Sequence, residues 1–199
     1  MKKKVFLAVI IIIPFIAISL IICFRARYYP TNEEIIYDLR NAEGYTADVE
    51  YTIKNSRGDY REDVAIFYSK DFGMKIEFDE NRTKIYKDES IIVRGTDDEY
   101  MIDGSFDYVY PLAFLNRSLE NKISEVYRNS EEWGEREYLE IVLKLSGQNR
   151  HINYARLYVD KKEKTPIAMK IYDVDGKESI TIKYKKFRYL NKIDEEVFK

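Results

Sequence analysis

Tyr45-Thr46-Ala47-Asp48-Val49-Glu50-Tyr51-Thr52-Ile53 decides the fold class of this chain. Apolar or aromatic side chains fall at every second position, and a charged or hydroxylated residue fills nearly every gap. Successive side chains of a strand point to opposite faces, so this rhythm marks a strand with one face in a core and one in water. The same period returns on both sides. Asn55-Ser56-Arg57-Gly58 reads as a turn, followed by Val64, Ile66 and Tyr68, and then by Met74, Ile76 and Phe78. Shorter candidates lie at Thr83–Tyr86, Ile91–Arg94 and Tyr100–Ile102, with Asp103-Gly104 as a hairpin turn. Further on come Leu139 to Leu145, Ile152 to Leu157, Ile167 to Ile171 and Ile180 to Tyr184, the last two joined by Asp175-Gly176.

Two stretches depart from this period. Thr31 to Glu34 has the form of a capping box, in which hydroxyl and carboxylate satisfy each other's free backbone amides, and Ile35, Ile36 and Leu39 share a helical face with Gly44 as the stop. Between Pro111 and Tyr127, Leu112, Leu115, Leu119 and Ile123 recur at helical spacing, with Pro111 as the opening residue. The expected architecture is mainly β: about ten antiparallel strands in a meander, forming a strongly curved sheet or open half-barrel. An apolar sheet face needs a cover, so the two helices are expected across the concave side.

Composition removes much of the enzyme repertoire. The 199 residues hold one Cys and one His, which excludes a disulfide framework, a Cys-based zinc site and a multi-His metal centre. A net charge of −2 speaks against nucleic acid as a partner. The charge is uneven. Lys2, Lys3 and Lys4 precede Val5 to Phe24, and residues 25–199 keep 30 cations against 35 acids. Twenty apolar residues at a helical rise span roughly the 30 Å of a bilayer core, and leading lysines place the following domain outside the cytoplasm. Arg25 and Arg27 weaken that asymmetry without reversing it. Three readings stay open for this segment: an uncleaved anchor, a cleaved signal peptide, or a lipoprotein signal ending at Cys23. Leu20 suits a lipobox, whereas Ile22 stands where a small side chain is needed. The expected division is residues 1–24 as signal or anchor, 25–30 as linker, with Tyr28-Tyr29-Pro30 at its end, and 31–199 as one domain.

No catalytic, cofactor-binding or metal-binding set emerges. His151 stands beside Asn149 and Arg150 at the start of a strand, with no nucleophile motif pointing to it. Asp173-x-Asp175-Gly176 lacks the third ligand and distal Glu of a calcium loop, and reads as a hairpin turn. Asp97-Asp98-Glu99 and Glu131-Glu132 read as solvated loop charge, and no phosphate loop or nucleophile elbow is found. Asn81-Arg82-Thr83 and Asn116-Arg117-Ser118 match a glycosylation pattern that carries little meaning in a bacterial chain. The 18 tyrosines suit strands and half-wet surfaces, and an exposed group of them would mark a partner site.

Several blocks together resemble the LolA/LolB-like lipoprotein-carrier superfamily. They are Leu157-Tyr158-Val159-Asp160, Thr165-Pro166-Ile167, Asp175-Gly176-Lys177, Tyr184 to Phe187, and Ile193-Asp194 to Phe198, with the opening helix and the Tyr45-Thr46-Ala47 strand. Within the superfamily, Phe106-Asp107-Tyr108-Val109-Tyr110-Pro111-Leu112 running into Phe114-Leu115-Asn116 is most similar to the GerS-type germination lipoproteins of clostridial spore formers. That resemblance implies an exported, membrane-tethered, non-enzymatic adaptor in the forespore intermembrane space or spore envelope. Such an adaptor binds and activates a cortex N-acetylmuramoyl-L-alanine amidase of the CwlD type. A second reading is a carrier or receptor that holds an acyl chain or lipoprotein in the half-barrel. Unpaired edge strands make a homodimer a further expectation.

Overall fold

The computed structural model describes residues 12–23, 30–79, 82–87, 89–129, 137–146 and 149–199. Eleven strands form one antiparallel sheet: β1 (Gly44–Asn55), β2 (Gly58–Ser69), β3 (Gly73–Phe78), β4 (Thr83–Lys87), β5 (Ser90–Arg94), β6 (Glu99–Asp103), β7 (Lys122–Asn129), β8 (Tyr138–Lys144), β9 (Tyr154–Asp160), β10 (Thr165–Tyr172) and β11 (Glu178–Tyr189). The helices are α1 (residues 12–23), α2 (Asn32–Arg40) and α3 (Leu115–Leu119). Among the described residues no helix is long and apolar enough to cross a membrane. Lys2 to Lys4, residues 5–11 and Phe24 of the apolar segment, Arg25, Arg27, the Tyr28-Tyr29 linker, Asn81 and Glu131-Glu132 lie outside the described residues.

The order across the sheet, β6-β5-β4-β3-β2-β1-β11-β10-β9-β8-β7, corrects the expected single meander. Two meanders stand side by side, joined where β1 pairs with β11, so the last strand lies at the centre and β6 and β7 form the two edges. The chain must cross from one edge to the other between Asp103 and Lys122. Eleven flat strands would set the edges about 48 Å apart. The joining residues, with two 3-10 turns and α3, would reach about 45 Å only if laid in one line, and here they bend into the core. The sheet therefore curls and stays open.

Two further expectations are corrected here. Asp103-Gly104 is no hairpin turn, because β6 ends there at the sheet edge. Asp103 Oδ1 accepts the Ser105 amide at 2.8 Å and opens a 3-10 turn at Gly104–Phe106. The helix expected over Pro111 to Tyr127 shrinks to a 3-10 turn at Tyr110–Ala113 and the five residues of α3, and Ile123 belongs to β7, a strand additional to the ten expected. A bulge between Ile123 and Glu125 is the cause. An extra residue in a strand shifts the side-chain alternation, so Ile123 and Val126 both reach the core and the strand rhythm is lost, while Ile123 follows Leu119 by the four residues of a helical turn.

The elements read from the alternation are in place. Tyr45, Ala47, Val49 and Tyr51 of β1 face the core with Val64, Ile66 and Tyr68 of β2 and Ile180, Ile182 and Tyr184 of β11. Asn55 to Gly58 turns β1 into β2, with Asn55 Oδ1 accepting the Arg57 amide at 2.8 Å. The capping box of α2 is complete: the Glu34 amide donates to Thr31 Oγ1 at 3.2 Å and the Thr31 amide to Glu34 Oε2 at 2.8 Å. Its stop is Asn41 and not Gly44, which opens β1. A Cβ at Gly44 would sit 3.1 Å from the Tyr68 carbonyl and 3.2 Å from that of Leu190, so a side chain there would press on backbone from two sides. Ile35 and Leu39 of α2, with Phe114, Leu115 and Leu119 of the crossing segment, are fully buried in the same core as the β1 face.

Candidate functional site

The crossing segment carries the residues that drew the germination-lipoprotein resemblance, and the core face of the sheet grips it with tyrosines. Tyr45 and Tyr51 on β1, Tyr86 on β4 and Tyr184 on β11 all point to this face. The Tyr86 hydroxyl donates to Asp107 Oδ2 at 2.7 Å, that of Tyr51 to the Tyr110 carbonyl at 2.7 Å, and that of Tyr184 to the Ala113 carbonyl at 2.9 Å. Tyr45 does two jobs: its hydroxyl accepts the Leu115 amide at 2.8 Å and donates to Asn116 Oδ1 at 3.2 Å. A short irregular segment leaves backbone groups unpaired, and these hydroxyls supply the partners that a regular ladder would have given.

An ion pair reinforces the grip. Lys84 Nζ lies 2.6 Å from Asp107 Oδ2, and both side chains are nearly buried. Asp107 Oδ1 also accepts the Tyr110 amide at 3.2 Å. The Tyr110 ring meets Phe78 and Tyr51 edge-on at 4.9 and 5.1 Å, lies under the Lys84 ammonium at 4.5 Å, and its hydroxyl donates to Glu62, which pairs with Arg82 at 2.7 Å. Burial pushes the phenols of Tyr45, Tyr51 and Tyr184 well above their ordinary value, and at Tyr86 the Asp107 carboxylate adds to burial. All four stay protonated and act as donors at any physiological pH. At the far end, Arg40 Nη2 of α2 donates to the Leu119 carbonyl at 2.9 Å.

The outward side of the same segment is bare. Phe106 is 77% exposed and Tyr108 60%, and beside them the edge strand β6 shows Tyr100 at 51% and Met101 at 70%. These residues form one exposed aromatic group of the kind that would mark a partner site. A cavity of about 940 Å³ opens between the two sheet edges, and Glu89, Asp103, Glu120, Arg117, Lys122 and Asn149 are among its walls.

The residues weighed in the sequence are scattered. Cys23 is exposed, the last described residue of α1. His151 is exposed in a turn, its amide donating to Asn149 Oδ1 at 2.9 Å and its carbonyl accepting Ser179 Oγ at 2.6 Å. Asp173 Oδ1 accepts the amides of Asp175 and Lys177 at 2.9 and 2.8 Å, and Gly176 takes a positive φ of 77°, so that motif is the hairpin turn between β10 and β11. Asp97 and Asp98 stand in the loop before β6, and Glu99 pairs with Arg94. Asn116 and Ser118 of the second glycosylation pattern are turned inward, with Ser118 Oγ on the Leu112 carbonyl at 2.7 Å. Among the described residues no three His, Cys, Asp or Glu side chains gather into a metal-binding group. Sequence reading missed the Lys84–Asp107 pair and the tyrosine grip. Their only signal was Asp107 and Tyr110 inside an otherwise apolar run.

Comparison with known proteins follows this architecture. No curated protein matches the chain. An uncharacterized conserved protein from Thermus thermophilus matches with a TM-score of 0.53 at 11% identity, over 85% of this chain and 94% of that one. At such identity the likeness is one of fold. The GerS lipoprotein–CwlD amidase structure from Clostridioides difficile matches with a TM-score of 0.48 at 22% identity, over 80% and 96%. A LolA superfamily protein from Nitrosomonas europaea matches with 0.48 at 9% identity, over 85% and 97%. The neighbours thus include both the superfamily and the germination lipoprotein that the sequence resembles. The model of one sporulation family matches residues 2–198, nearly the whole sequence, and the chain belongs to that family, the YdcC-like sporulation proteins.

Proposed function

We propose that this chain is a non-enzymatic adaptor of spore formation, held on the outer side of a membrane by residues 5–24, that binds and activates a CwlD-type cortex amidase. One observation carries the reading. The segment 106–116, which resembles the germination lipoproteins, is clamped on its inner side and leaves Phe106 and Tyr108 in water beside an unpaired strand. Exposed aromatic side chains on a rigid support are the usual anchors of a protein interface. Membership of a sporulation family supports the setting. GerS is described in complex with CwlD, and the proposal assigns this chain the same kind of partner. Activation would be a population shift, with the adaptor binding the competent form of the amidase more tightly than the idle one.

The carrier reading needs an apolar face free to receive an acyl chain. Here that face is filled by Ile35, Leu39, Phe114, Leu115 and Leu119 of the chain itself, and the open cavity has mixed walls, in which charged and polar side chains stand beside Tyr108, Leu112, Leu145 and Ile152. This weighs for the adaptor.

The test is native mass spectrometry of the full chain in mild detergent, co-expressed with the amidase of the same genome. A stable complex supports the adaptor and gives its stoichiometry. A free chain carrying an apolar adduct overturns it in favour of the carrier, and a bare chain overturns both.

A further inference from the structure

β6 is the shorter of the two edge strands, and its hydrogen-bond register fixes what it offers. The Gly95 amide donates to the Asp98 carbonyl at 2.9 Å, and the Gly104 amide to that of Glu89 at 2.7 Å. With Ile91 opposite Ile102 and Val93 opposite Tyr100, these two bonds continue the ladder at either end. In an antiparallel pair the bonded positions alternate. Asp98, Tyr100, Ile102 and Gly104 therefore turn their backbone groups to β5, and Glu99 and Met101 turn theirs to the free side.

Natural edges are usually blunted by lysines, bulges or prolines. The opposite edge, β7, has such devices: the bulge after Ile123, and Lys122 and Arg128 near its two ends. β6 pairs in unbroken register, and residues 95–116 contain five acids and not one Lys or Arg. Of the five, Asp107 is spent on Lys84 and Glu99 on Arg94, while Asp97, Asp98 and Asp103 are exposed. Tyr100 lies on the core face of the strand and Met101 on the other, so a strand added here would cover apolar surface on both sides.

A second copy is a poor occupant. Antiparallel pairing of β6 with itself about Met101 would set Glu99 opposite Asp103 twice, and like charges directly opposite are destabilising. We infer that β6 is a docking edge for an extended, cationic segment of a protein partner, which adds as a twelfth strand against Glu99 and Met101, lays apolar side chains on Tyr100 and Met101, and sets its Lys or Arg against Asp97, Asp98 and Asp103. Main-chain bonds then supply affinity and the acid row selects for charge. This rests on the adaptor reading and names the part of the amidase that it grips.

The experiment measures amidase binding to the full chain by titration calorimetry at low salt. Met101→Pro removes an amide that points away from β5 and so spares the sheet's own ladder. It is expected to weaken binding by at least about thirtyfold, as main-chain pairing is lost. Asp97→Lys with Asp98→Lys is expected to weaken it about tenfold, an effect that shrinks in salt. Lys122→Glu on the opposite edge should leave it unchanged. Wild-type binding that survives both β6 changes overturns this inference and leaves the adaptor standing. Failure of the wild-type chain to bind overturns the adaptor, and the docking edge with it. If Met101→Pro unfolds the chain, the charge reversal decides alone.

Discussion

Residues 106–116 carry two sets of aromatic contacts with opposite fates. On the inner side, hydroxyls from four sheet tyrosines and the Tyr110 ring pin the segment to the core, and each of the four hydroxyls has its partner there. On the outer side, Phe106 and Tyr108 stand in water with no comparable setting. The inner set spends its tyrosines on stability. The outer set contributes little to the fold, and a segment held this firmly presents it at almost no further cost in ordering. The difference separates the residues that build the platform from those available to a partner.

The largest way to break the inner set is alkali. The folded state holds the protons of Tyr45, Tyr51, Tyr86 and Tyr184 well above the ordinary value of 10.0, and the unfolded chain releases them from there upward. Stability contributed by these phenols is complete below about pH 10 and falls as pH rises, by about 1.4 kcal/mol per unit for each tyrosine and so by about 5–6 kcal/mol for the four at pH 11. Urea unfolding followed from pH 8 to 11 measures this. Next comes Asp107→Ala, which leaves the Lys84 ammonium and the Tyr86 hydroxyl buried without their acceptor. A loss of about 3–5 kcal/mol is expected, read from the urea midpoint, and Asp107→Leu combined with Lys84→Met and Tyr86→Phe, which removes the orphaned donors as well, should recover much of it. Tyr184→Phe, which deprives the Ala113 carbonyl of its donor, should cost about 1–2 kcal/mol and also flatten the alkaline limb by one tyrosine's share. Smallest is the outer set: Phe106→Ser with Tyr108→Ser should change stability by less than about 0.5 kcal/mol, while weakening capture of the amidase. An outer pair as costly as Tyr184→Phe would erase the distinction between the two sets.

Local periodicity made most of the sheet legible. Tyr45 to Ile53, the Asn55 turn, the Asp175-Gly176 hairpin and the Thr31 capping box all depend on residues within a few positions of one another. β7 was hidden by its bulge, which breaks the alternation after Ile123, and by Ile123 following Leu119 at helical spacing. The pairing of β1 with β11 joins residues more than 120 positions apart, and nothing local specifies it. The candidate site was less legible still. Lys84 and Asp107, or Tyr45 and Leu115, meet only because the chain crosses from one edge of a curled sheet to the other. Tyrosines that clamp a segment and tyrosines that face water look alike in a strand pattern.

The most direct measurement is amide hydrogen exchange on the full chain, alone and with the CwlD-type amidase. In the free chain the amides of Glu99 and Met101 should exchange much faster than those of Tyr100 and Ile102, and the amidase should slow Glu99 and Met101 selectively. Protection that arises on β7 instead, or nowhere on the chain, would contradict the account.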